Sequence, residues 1–441
     1  MERAHDLSKA VVARLREAGF AAYLVGGCVR DLLLGFEPKD YDVATAARPE
    51  QVQLLFPGSV LVGAQFGVVL VREGSVEIEV ATFRSDHEYQ DGRRPVEVTF
   101  ETDAKADVLR RDFTINALLF DPESGEVIDY VYGLADLAGN SVRAIGNAEK
   151  RFLEDHLRLL RAVRFAARLN FTIEAETLAA VRRNAARIGS VSAERVRDEL
   201  SLMLTSANPR RAFELLDETG LLLEILPEVK ALQGVEQPAE FHPEGDVWTH
   251  TMIMLEGLDH PSVTLALGVL LHDIGKPATF ERAPDRIRFN GHVEVGVSIA
   301  RTILHRLRYS NEQTEQVVAL IANHMKFKDV PLMKESTVKR FLRQTLFGEH
   351  MALHRLDCLS SHGSLSNYEW LKQKQEEVPP EVLKPEPLVT GTDLIEAGYK
   401  PGPQFKGLLH AVEEAQLNNE IGTPAEAMAL VQRLWSKSPA L

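Results

Sequence analysis

The spacing of hydrophobic and polar residues changes character along the chain. Near the amino terminus, short runs rich in β-forming residues occupy positions 22–25, 40–44, 68–72 and 76–82. Helical patterns precede the first run and separate it from the second. These elements predict a small mixed α/β domain at the start of the chain.

Beyond residue 144 the hydrophobic period becomes that of long amphipathic helices. The pattern predicts helices over residues 149–169, 175–188 and 193–204, and the remainder of the chain also has a mainly helical pattern. The predicted fold class is therefore α+β, with a small mixed α/β head followed by mostly α-helical domains.

Residue usage indicates further boundaries in the helical part. Ten of the 14 histidines fall within residues 241–365, and a stretch rich in proline and charge, residues 376–387, predicts a linker. We expect four domains: a head (1–145), a helical neck or body (146–240), a histidine-rich module (241–365) and a tail (366–441).

Net charge excludes a uniformly basic protein but leaves one basic segment. The formal charge of the chain is −14, whereas residues 150–211 hold thirteen Lys and Arg against seven Asp and Glu, a local charge of 13 − 7 = +6. A basic segment of this kind is either a solvated helical face or a surface that grips nucleic acid. The chemistry next to it favours the second interpretation.

Hydropathy and cysteine usage suggest a chain that works in a reducing cytoplasm. The longest mainly apolar run, residues 263–271, is far below the roughly 18 to 20 residues that span a bilayer. The two cysteines, Cys28 and Cys358, lie far apart, which supports neither a disulfide scaffold nor a thiolate zinc site. We therefore expect no membrane partner.

A pair of glycines in the head has the character of a phosphate-binding turn. Gly26 and Gly27 lie between a predicted strand and a predicted helix, where backbone N–H groups can approach a triphosphate. Arg30 adds a guanidinium nearby.

Acidic residues in the following strands have the pattern of a two-ion magnesium site. Asp40 and Asp42 are two apart on a predicted strand, so both carboxylates leave one face, roughly 6.5 to 7 Å apart. Glu79, with Glu77 on the same face of its strand, is the candidate third carboxylate. Oxygen ligands suit Mg²⁺, and three of them can hold two ions about 3.5 to 4 Å apart.

The combined motifs resemble those of the class II CCA-adding enzymes and bacterial poly(A) polymerases. They are the run from Leu24 to Asp31 containing GG-x-VRD, the Asp40-Tyr41-Asp42 motif, and Arg110-Arg111-Asp112-Phe113-Thr114-Ile115-Asn116-Ala117-Leu118. Matching motifs extend from about residue 23 to residue 200. The resemblance implies that Asp40 and Asp42 hold metal ions and that Gly27, Arg30 and Arg111 contact the nucleotide.

A helix pattern after the head carries a candidate base-reading group. Asp155, Arg158, Arg161 and Arg164 are spaced by three, and the pattern predicts that Asp155 and Arg158 share one helical face. A carboxylate accepts and a guanidinium donates, which complements the Watson–Crick edges of cytosine and adenine and opposes those of uracil and guanine. A surface ion pair is the alternative interpretation.

The same segment, residues 154–158, matches the family's EDxxR motif. The resemblance implies that Asp155 and Arg158 pair with the incoming base and that Arg161 and Arg164 support the nucleotide. Residues 192–200 match another helix of the family's neck, whose arginines are equally compatible with a solvated surface.

Four side chains in the histidine-rich module form an H…HD…D pattern. Mixed nitrogen and oxygen ligands suit a divalent transition metal. The pattern resembles the HD phosphohydrolase superfamily, which implies the ligands His250, His272, Asp273 and Asp357, with His292 and His324 available for a second ion. A metal-dependent hydrolase and a purely structural module both remain open.

The leading hypothesis is template-independent addition of CMP and AMP, from CTP and ATP, to the 3′ end of tRNA with two Mg²⁺ ions. Enzymes that add only CC, only A or a poly(A) tail fit the same residues. Two other classes also stay open, an HD phosphohydrolase with an inactive head and a noncatalytic RNA-binding protein. The sequence does not indicate an oligomeric state.

Overall fold

The computed structural model describes residues 2–62, 67–90, 94–240 and 242–436. Phe241, the first residue of the predicted third domain, lies outside this range, as do the chain ends. The contacts divide the chain into two compact units, Met1–Ala231 with Ile303–Tyr309, and Leu232–Thr302 with Ser310–Leu441. The division into four domains stays a prediction.

The strands concentrate in the head. They are β1 (Ala22–Val25), β2 (Asp42–Thr45), β3 (Val60–Leu61), β4 (Val68–Glu73), β5 (Val76–Thr82), β6 (Arg84–Gln90), β7 (Arg94–Phe100), β8 (Leu119–Phe120), β9 (Val127–Ile128), β10 (Ser141–Val142), β11 (Thr172–Ile173), β12 (Glu281–Arg282) and β13 (Ile287–Arg288).

In the described head, seven strands form one mixed sheet in the order β3-β4-β5-β2-β1-β8-β9. Strands β2 and β5 are parallel, and the other neighbours are antiparallel. Alternation along β5 decides its orientation, because Ile78 and Val80 are buried while Glu77 and Glu79 are exposed. This places the acidic side chains of β5 on the solvated face.

The first five helices of the first unit precede the first strand or lie between strands of the head, and the later ones follow as the neck. These helices are α1 (Glu2–Glu17), α2 (Gly27–Leu33), α3 (Pro49–Leu55), α4 (Ala104–Leu109), α5 (Gly133–Ala138), α6 (Ala148–Glu154), α7 (Arg158–Leu169), α8 (Ala175–Asn184), α9 (Ala193–Leu204), α10 (Pro209–Glu218), α11 (Leu221–Ile225) and α12 (Pro227–Lys230).

The prediction of one helix over residues 149–169 is wrong. The backbone of Asp155 is extended, with φ −144° and ψ 107°, and it ends α6. Helix α7 starts at Arg158, and the Asp155 side chain accepts from the Leu157 N–H at 3.1 Å. Aspartate offers the backbone this local alternative to a helical hydrogen bond, which favours a break. The helix predicted over 175–188 also ends early, because Ala185–Ser190 is 3₁₀-helical.

The helices that begin in the second unit make up nearly all of its regular structure in the described range. They are α13 (Val247–Glu256), α14 (Val263–Leu271), α15 (His292–Arg306), α16 (Asn311–Asn323), α17 (Glu335–Leu342), α18 (Phe347–Ser360), α19 (Ser366–Glu377), α20 (Pro380–Leu383), α21 (Gly391–Glu396), α22 (Gln404–Leu417) and α23 (Pro424–Trp435).

Helix ends in this unit follow their local sequence. Thr423 and Glu426 form a capping box at the start of α23, and Pro424 occupies its first position, where a missing N–H costs nothing. The short helix α20 interrupts the predicted linker. The α+β class predicted from the hydrophobic pattern is confirmed.

Candidate active site and metal centre

The turn after β1 is built around Gly26. Its φ of +82° lies in the region that favours glycine. A Cβ atom at this position would lie 3.3 Å from Arg111 Nη1 and 3.9 Å from Asp42 Oδ2. The absence of a side chain at Gly26 therefore lets the Arg111 guanidinium and the Asp42 carboxylate lie close to the turn. At Gly27, a Cβ would make only an ordinary contact, 3.7 Å from Arg30 Nη2.

Two carboxylates face the same part of the sheet from neighbouring strands. Asp42 and Glu79 are direct partners in the parallel register of β2 and β5. Burial, with repulsion from Glu79, raises the pKa of Asp42 to about 6, against the opposing charge of Arg111. The arrangement gathers negative charge that a cation would neutralise.

The structure revises two details of the acidic cluster. Asp40 precedes β2 in irregular backbone, so the strand alternation predicted for Asp40 and Asp42 does not apply. Asp40 nevertheless acts electrostatically on Asp42. Glu77 is half exposed and forms an ion pair with Arg72 at 2.6 Å. Its carboxylate is therefore engaged at the surface, unlike that of Glu79, the candidate metal ligand.

Arg111 is held beside the turn by a buried acid. Its Nε and Nη2 donate to Asp107 Oδ2 at 3.2 and 2.9 Å, and Arg110 binds Oδ1 of the same carboxylate. Burial opposes the charge of Asp107, but Arg111 and Arg110 overcome it and hold its pKa below the usual value. Asp107 thus orients the guanidinium towards Gly26.

Arg30 lies in the interior of the head, with 2 % of its surface exposed. Its guanidinium donates to Asp31 Oδ1 from Nε and Nη2 and to Asn116 Oδ1 from Nη1. Arg168 of α7 binds the other oxygen of Asp31 at 2.8 Å. Asp31 therefore links Arg30 to α7 of the neck, and direct contact of Arg30 with a nucleotide stays a prediction.

The break between α6 and α7 separates the two candidate base-reading residues. Asp155 lies in the break and Arg158 opens α7, so they do not share a helical face, contrary to the prediction. Asp155 binds Arg195 of α9 through two hydrogen bonds of 3.1 and 2.8 Å. Arg158 instead donates to Glu154 at 2.8 Å and to the carbonyls of Arg151 and Arg110.

The next two arginines of α7 also bind acids. Arg161 donates to Asp112 Oδ2 at 2.7 Å, and Arg164 donates to Glu199 Oε2 at 2.6 Å. Burial opposes the charge of Asp112, yet Arg161 lowers its pKa to about 2. Arg161 is one-third exposed, whereas Arg164 is buried.

The pairings between these arginines and their acids were not predicted from the sequence. The spacing of Asp107 and Arg111 is that of a helical i,i+4 pair, which gives a local signal. The contacts Asp112–Arg161 and Asp155–Arg195 span 49 and 40 residues, and no periodic pattern encodes them.

In the second unit, α13, α14, α15, α16 and α18 bring the predicted metal ligands together. His250 Nε2 lies 3.2 Å from Asp357 Oδ1, and His272 Nε2 lies 3.1 Å from Asp273 Oδ2. His292 and His324 direct their Nε2 atoms to Asp273 Oδ1 at 3.7 and 3.8 Å. Ligand atoms of His250, His272 and Asp273, and of Asp273, His292 and His324, form close groups.

Four histidines in this cluster present the same ring nitrogen inwards. The Nδ1 atoms of His272, His292 and His324 lie 2.7 to 2.9 Å from backbone carbonyls, which accept hydrogen bonds, so Nδ1 carries the proton. His250 Nδ1 lies 2.7 Å from Glu244 Oε1. Within the described residues, the four buried Nε2 atoms face the carboxylates of Asp273 and Asp357 without meeting the geometry of a hydrogen bond. This tautomer exposes the lone pair that binds a metal ion.

The electrostatics of the cluster fit a cation. Burial opposes protonation of His250, but Asp357 and Glu244 raise its pKa to about 9. Burial lowers the pKa of His324 to about 4. Burial opposes the charge of Asp273, yet His272 and Lys276 hold its pKa well below the usual value. A divalent ion bound among these carboxylates would displace the proton of the His250 imidazolium.

In the described residues, none of the helices combines the length and the hydropathy required to span a bilayer.

Three family models match successive parts of the chain. "Poly A polymerase head domain" covers residues 22–143, "Probable RNA and SrmB- binding site of polymerase A" covers 170–233, and a model described as "tRNA nucleotidyltransferase domain 2" covers 292–431. The first match contains the head carboxylates and Arg111.

Relatives match over nearly the whole length. A CCA-adding enzyme of Lactobacillus helveticus is 33% identical over 95% of this chain and 94% of its own, and one of Ligilactobacillus salivarius is 31% identical over 92% and 90%. The crystal structure of the Bacillus stearothermophilus CCA-adding enzyme in complex with CTP is 29% identical, covers 97% of both chains and has a TM-score of 0.74. The chain therefore belongs to the family of CCA-adding enzymes, which are tRNA nucleotidyltransferases.

Proposed function

We propose that this chain builds or repairs the 3′ CCA end of tRNA by transferring CMP from CTP and AMP from ATP. The observation that carries the proposal is the alignment of Asp42 with Glu79 beside the Gly26 turn and Arg111. This arrangement would supply metal ligands, a backbone turn and the Arg111 guanidinium at one place. Nucleotidyl transfer requires all three.

The acidic residues of the head bind the metal ions in this proposal. Asp40, Asp42 and Glu79 would hold two Mg²⁺ ions, since carboxylate oxygens are hard ligands. Ions held there would supply charge neutralisation for the triphosphate, while the 3′-hydroxyl attacks the α-phosphate and pyrophosphate leaves. Burial, with repulsion from Glu79, raises the pKa of Asp42, and a bound cation would favour the ionised carboxylate.

Basic residues position the triphosphate. Arg111, oriented by Asp107, presents Nη1 towards the turn, where a phosphate oxygen can accept from it. Gly27 permits close approach of the nucleotide because a side chain is absent. Arg30 stabilises the turn through its hydrogen bonds to Asp31 and Asn116.

The base is selected by Asp155 and Arg158. The carboxylate accepts from the amino group of cytosine or adenine, and the guanidinium donates to the adjacent ring nitrogen. Uracil and guanine place a carbonyl and an N–H at these positions and leave both charged groups mismatched. A site that depends on such hydrogen bonds discriminates against the wrong base by a factor of about 10⁴ to 10⁵ in kcat/KM. Arg161 and Arg164 support the nucleotide from α7.

The acceptor RNA is held by backbone and shape, since the base is read by protein side chains. The +6 segment between residues 150 and 211 contains α7, α8 and α9 and supplies positive charge for phosphates.

The test is incubation with tRNA that lacks CCA, in the presence of CTP, ATP or both. Addition of C, C and A followed by termination supports the proposal. Addition of CC only, of A only or of a long A tail would identify one of the alternative activities. An Asp42→Ala variant that incorporates nucleotides at the rate of the unaltered chain would contradict the assigned site.

A second candidate function is metal-dependent phosphoester hydrolysis in the second unit. Its support is the convergence of four histidine Nε2 atoms on the carboxylates of Asp273 and Asp357. His250, His272, Asp273 and Asp357 would hold a divalent transition metal, and His292 with His324 would hold a second ion. Such ions act as Lewis acids in hydrolysis of RNA ends or nucleotides.

Hydrolysis can be separated from nucleotide addition by mutation. His272→Ala should abolish release of phosphate from RNA ends that carry a terminal phosphate and ring opening of cyclic phosphates, while leaving CCA addition measurable. Phosphate release by the His272→Ala variant at the original rate would exclude this activity of the cluster. Metal binding without hydrolysis would indicate a structural module.

A further inference from the structure

The carboxylate of Asp155 is constrained from two directions in the break between α6 and α7. Leu157 N–H donates to Oδ1 at 3.1 Å. Arg195, in the first turn of α9, donates to Oδ1 from Nη1 at 3.1 Å and to Oδ2 from Nη2 at 2.8 Å. Both side chains keep some access to solvent, at 19% for Asp155 and 24% for Arg195.

These contacts leave a definite hydrogen-bonding capacity on the carboxylate. Each carboxylate oxygen has about two lone-pair sites. Within the described residues, Oδ1 receives two donors and Oδ2 receives one. One acceptor position therefore remains, and it belongs to Oδ2.

We propose that Arg195 is a positioning residue for base selection, which fixes Asp155 so that Oδ2 alone accepts the amino group of the incoming cytosine or adenine. This inference rests on the proposed function, in which Asp155 reads the base. Arg195 thereby has a role in the site, although the sequence of residues 192–200 is equally compatible with a solvated helix surface.

The second base-reading group is held independently. Arg158 is bound by the Glu154 carboxylate at 2.8 Å and by the carbonyls of Arg151 and Arg110 at 3.0 and 3.1 Å. Loss of Arg195 therefore releases the acceptor but leaves the donor in place. The expected defect is in discrimination between bases rather than in the chemistry at Asp42 and Glu79.

A planar guanidinium is required for this role. Its two terminal nitrogens bind both carboxylate oxygens simultaneously and prevent rotation about the Cβ–Cγ bond. A lysine ammonium is a point charge and does not bind in this fork geometry. Without the fork, the carboxylate can rotate and present either oxygen, so a base with a displaced donor is rejected less strongly.

The experiment compares Arg195→Lys and Arg195→Ala with the unaltered chain, using tRNA that lacks CCA. Steady-state kinetics with CTP and with UTP give the ratio of the two kcat/KM values, and the same is done for ATP and GTP. We expect both variants to lower these ratios by about tenfold or more, as a displaced contact group does. The loss of kcat/KM for CTP and ATP should come mainly from a raised KM.

Arg197→Ala is the matched control on the same helix. Arg197 binds Asp198 and the Arg308 carbonyl and makes no contact with Asp155 in the described structure. This variant should keep the discrimination ratios. Thermal melting of each variant verifies that the fold is retained.

The outcomes separate the inference from the function on which it rests. Discrimination ratios in Arg195→Ala or Arg195→Lys within twofold of the unaltered chain would overturn the role of Arg195, whatever the overall rate. Failure of the unaltered chain to incorporate CMP would instead overturn the proposed function.

Discussion

Asp42 and Glu79 stand directly opposite each other on the parallel strands β2 and β5. Two strand positions along, Glu77 shares the exposed face of β5 but is paired with Arg72 at 2.6 Å. The same strand thus holds one candidate metal ligand and one residue in a surface ion pair, which makes them a matched pair for mutation.

Glu79→Gln should reduce kcat/KM for CMP addition by about 100-fold, because loss of a metal ligand removes about 3 kcal/mol of transition-state stabilisation. Glu77→Gln should change it by less than about threefold, since exposed ion pairs contribute little. Single-turnover assays at saturating Mg²⁺ measure both. Equal effects of the two substitutions would argue against the role of Glu79.

Alanine substitutions at the two turn glycines should have different effects. Gly26→Ala should lower stability by about 1 kcal/mol or more, because it combines a φ of +82° with a contact of 3.3 Å to Arg111. Gly27→Ala should melt at the temperature of the unaltered chain. A raised KM for CTP in Gly27→Ala would then report contact with the nucleotide, whereas an unchanged KM would exclude it.

The histidine cluster should lose metal ions in a pattern set by Asp273, which belongs to two of the three close groups of ligand atoms found among the described residues. Asp273→Asn should weaken binding of both ions, and His292→Asn should weaken binding of one, each by at least about tenfold. Metal content by mass spectrometry and calorimetric titration with Mn²⁺ or Zn²⁺ check this. Equal metal content in both variants would contradict the two-ion arrangement.

Acid should destabilise the second unit through His350. Burial, with the charge of Lys326, lowers the pKa of His350 to about 4, so it stays neutral in the folded state while the unfolded chain takes up a proton below pH of about 6.5. The free energy of unfolding should therefore fall as pH decreases from about 6.5 to about 4, by up to roughly 1.4 kcal/mol per pH unit.

Tryptophan fluorescence can follow this transition, because Trp248, Trp370 and Trp435 all belong to the second unit. Urea denaturation at several pH values gives the slope, and His350→Phe should reduce it. An identical pH dependence in His350→Phe would show that other groups account for the acid sensitivity.

Local sequence was informative where local forces decide structure. The bounds predicted for β1, β5 and α9 match the observed residues 22–25, 76–82 and 193–204. The prediction was wrong at Asp155, where a side-chain hydrogen bond to Leu157 N–H interrupts a pattern with an uninterrupted helical period. Hydrophobic periodicity indicates which face of a helix is apolar, but it does not detect a single residue, such as Asp155, whose backbone is not helical.

By itself, the sequence predicted the α+β class, four strands of the head and the helical character of the rest, and it offered the residue types for a carboxylate site, a base-reading pair and a histidine centre. Tertiary structure decided that Asp112 binds Arg161, that Arg195 binds Asp155, that Glu79 faces Asp42, and that the histidine and carboxylate side chains of the second unit converge. Those relationships depend on contacts between residues tens of positions apart. Such contacts arise from packing of whole elements, whereas a sequence pattern reports only the period of the element that contains it.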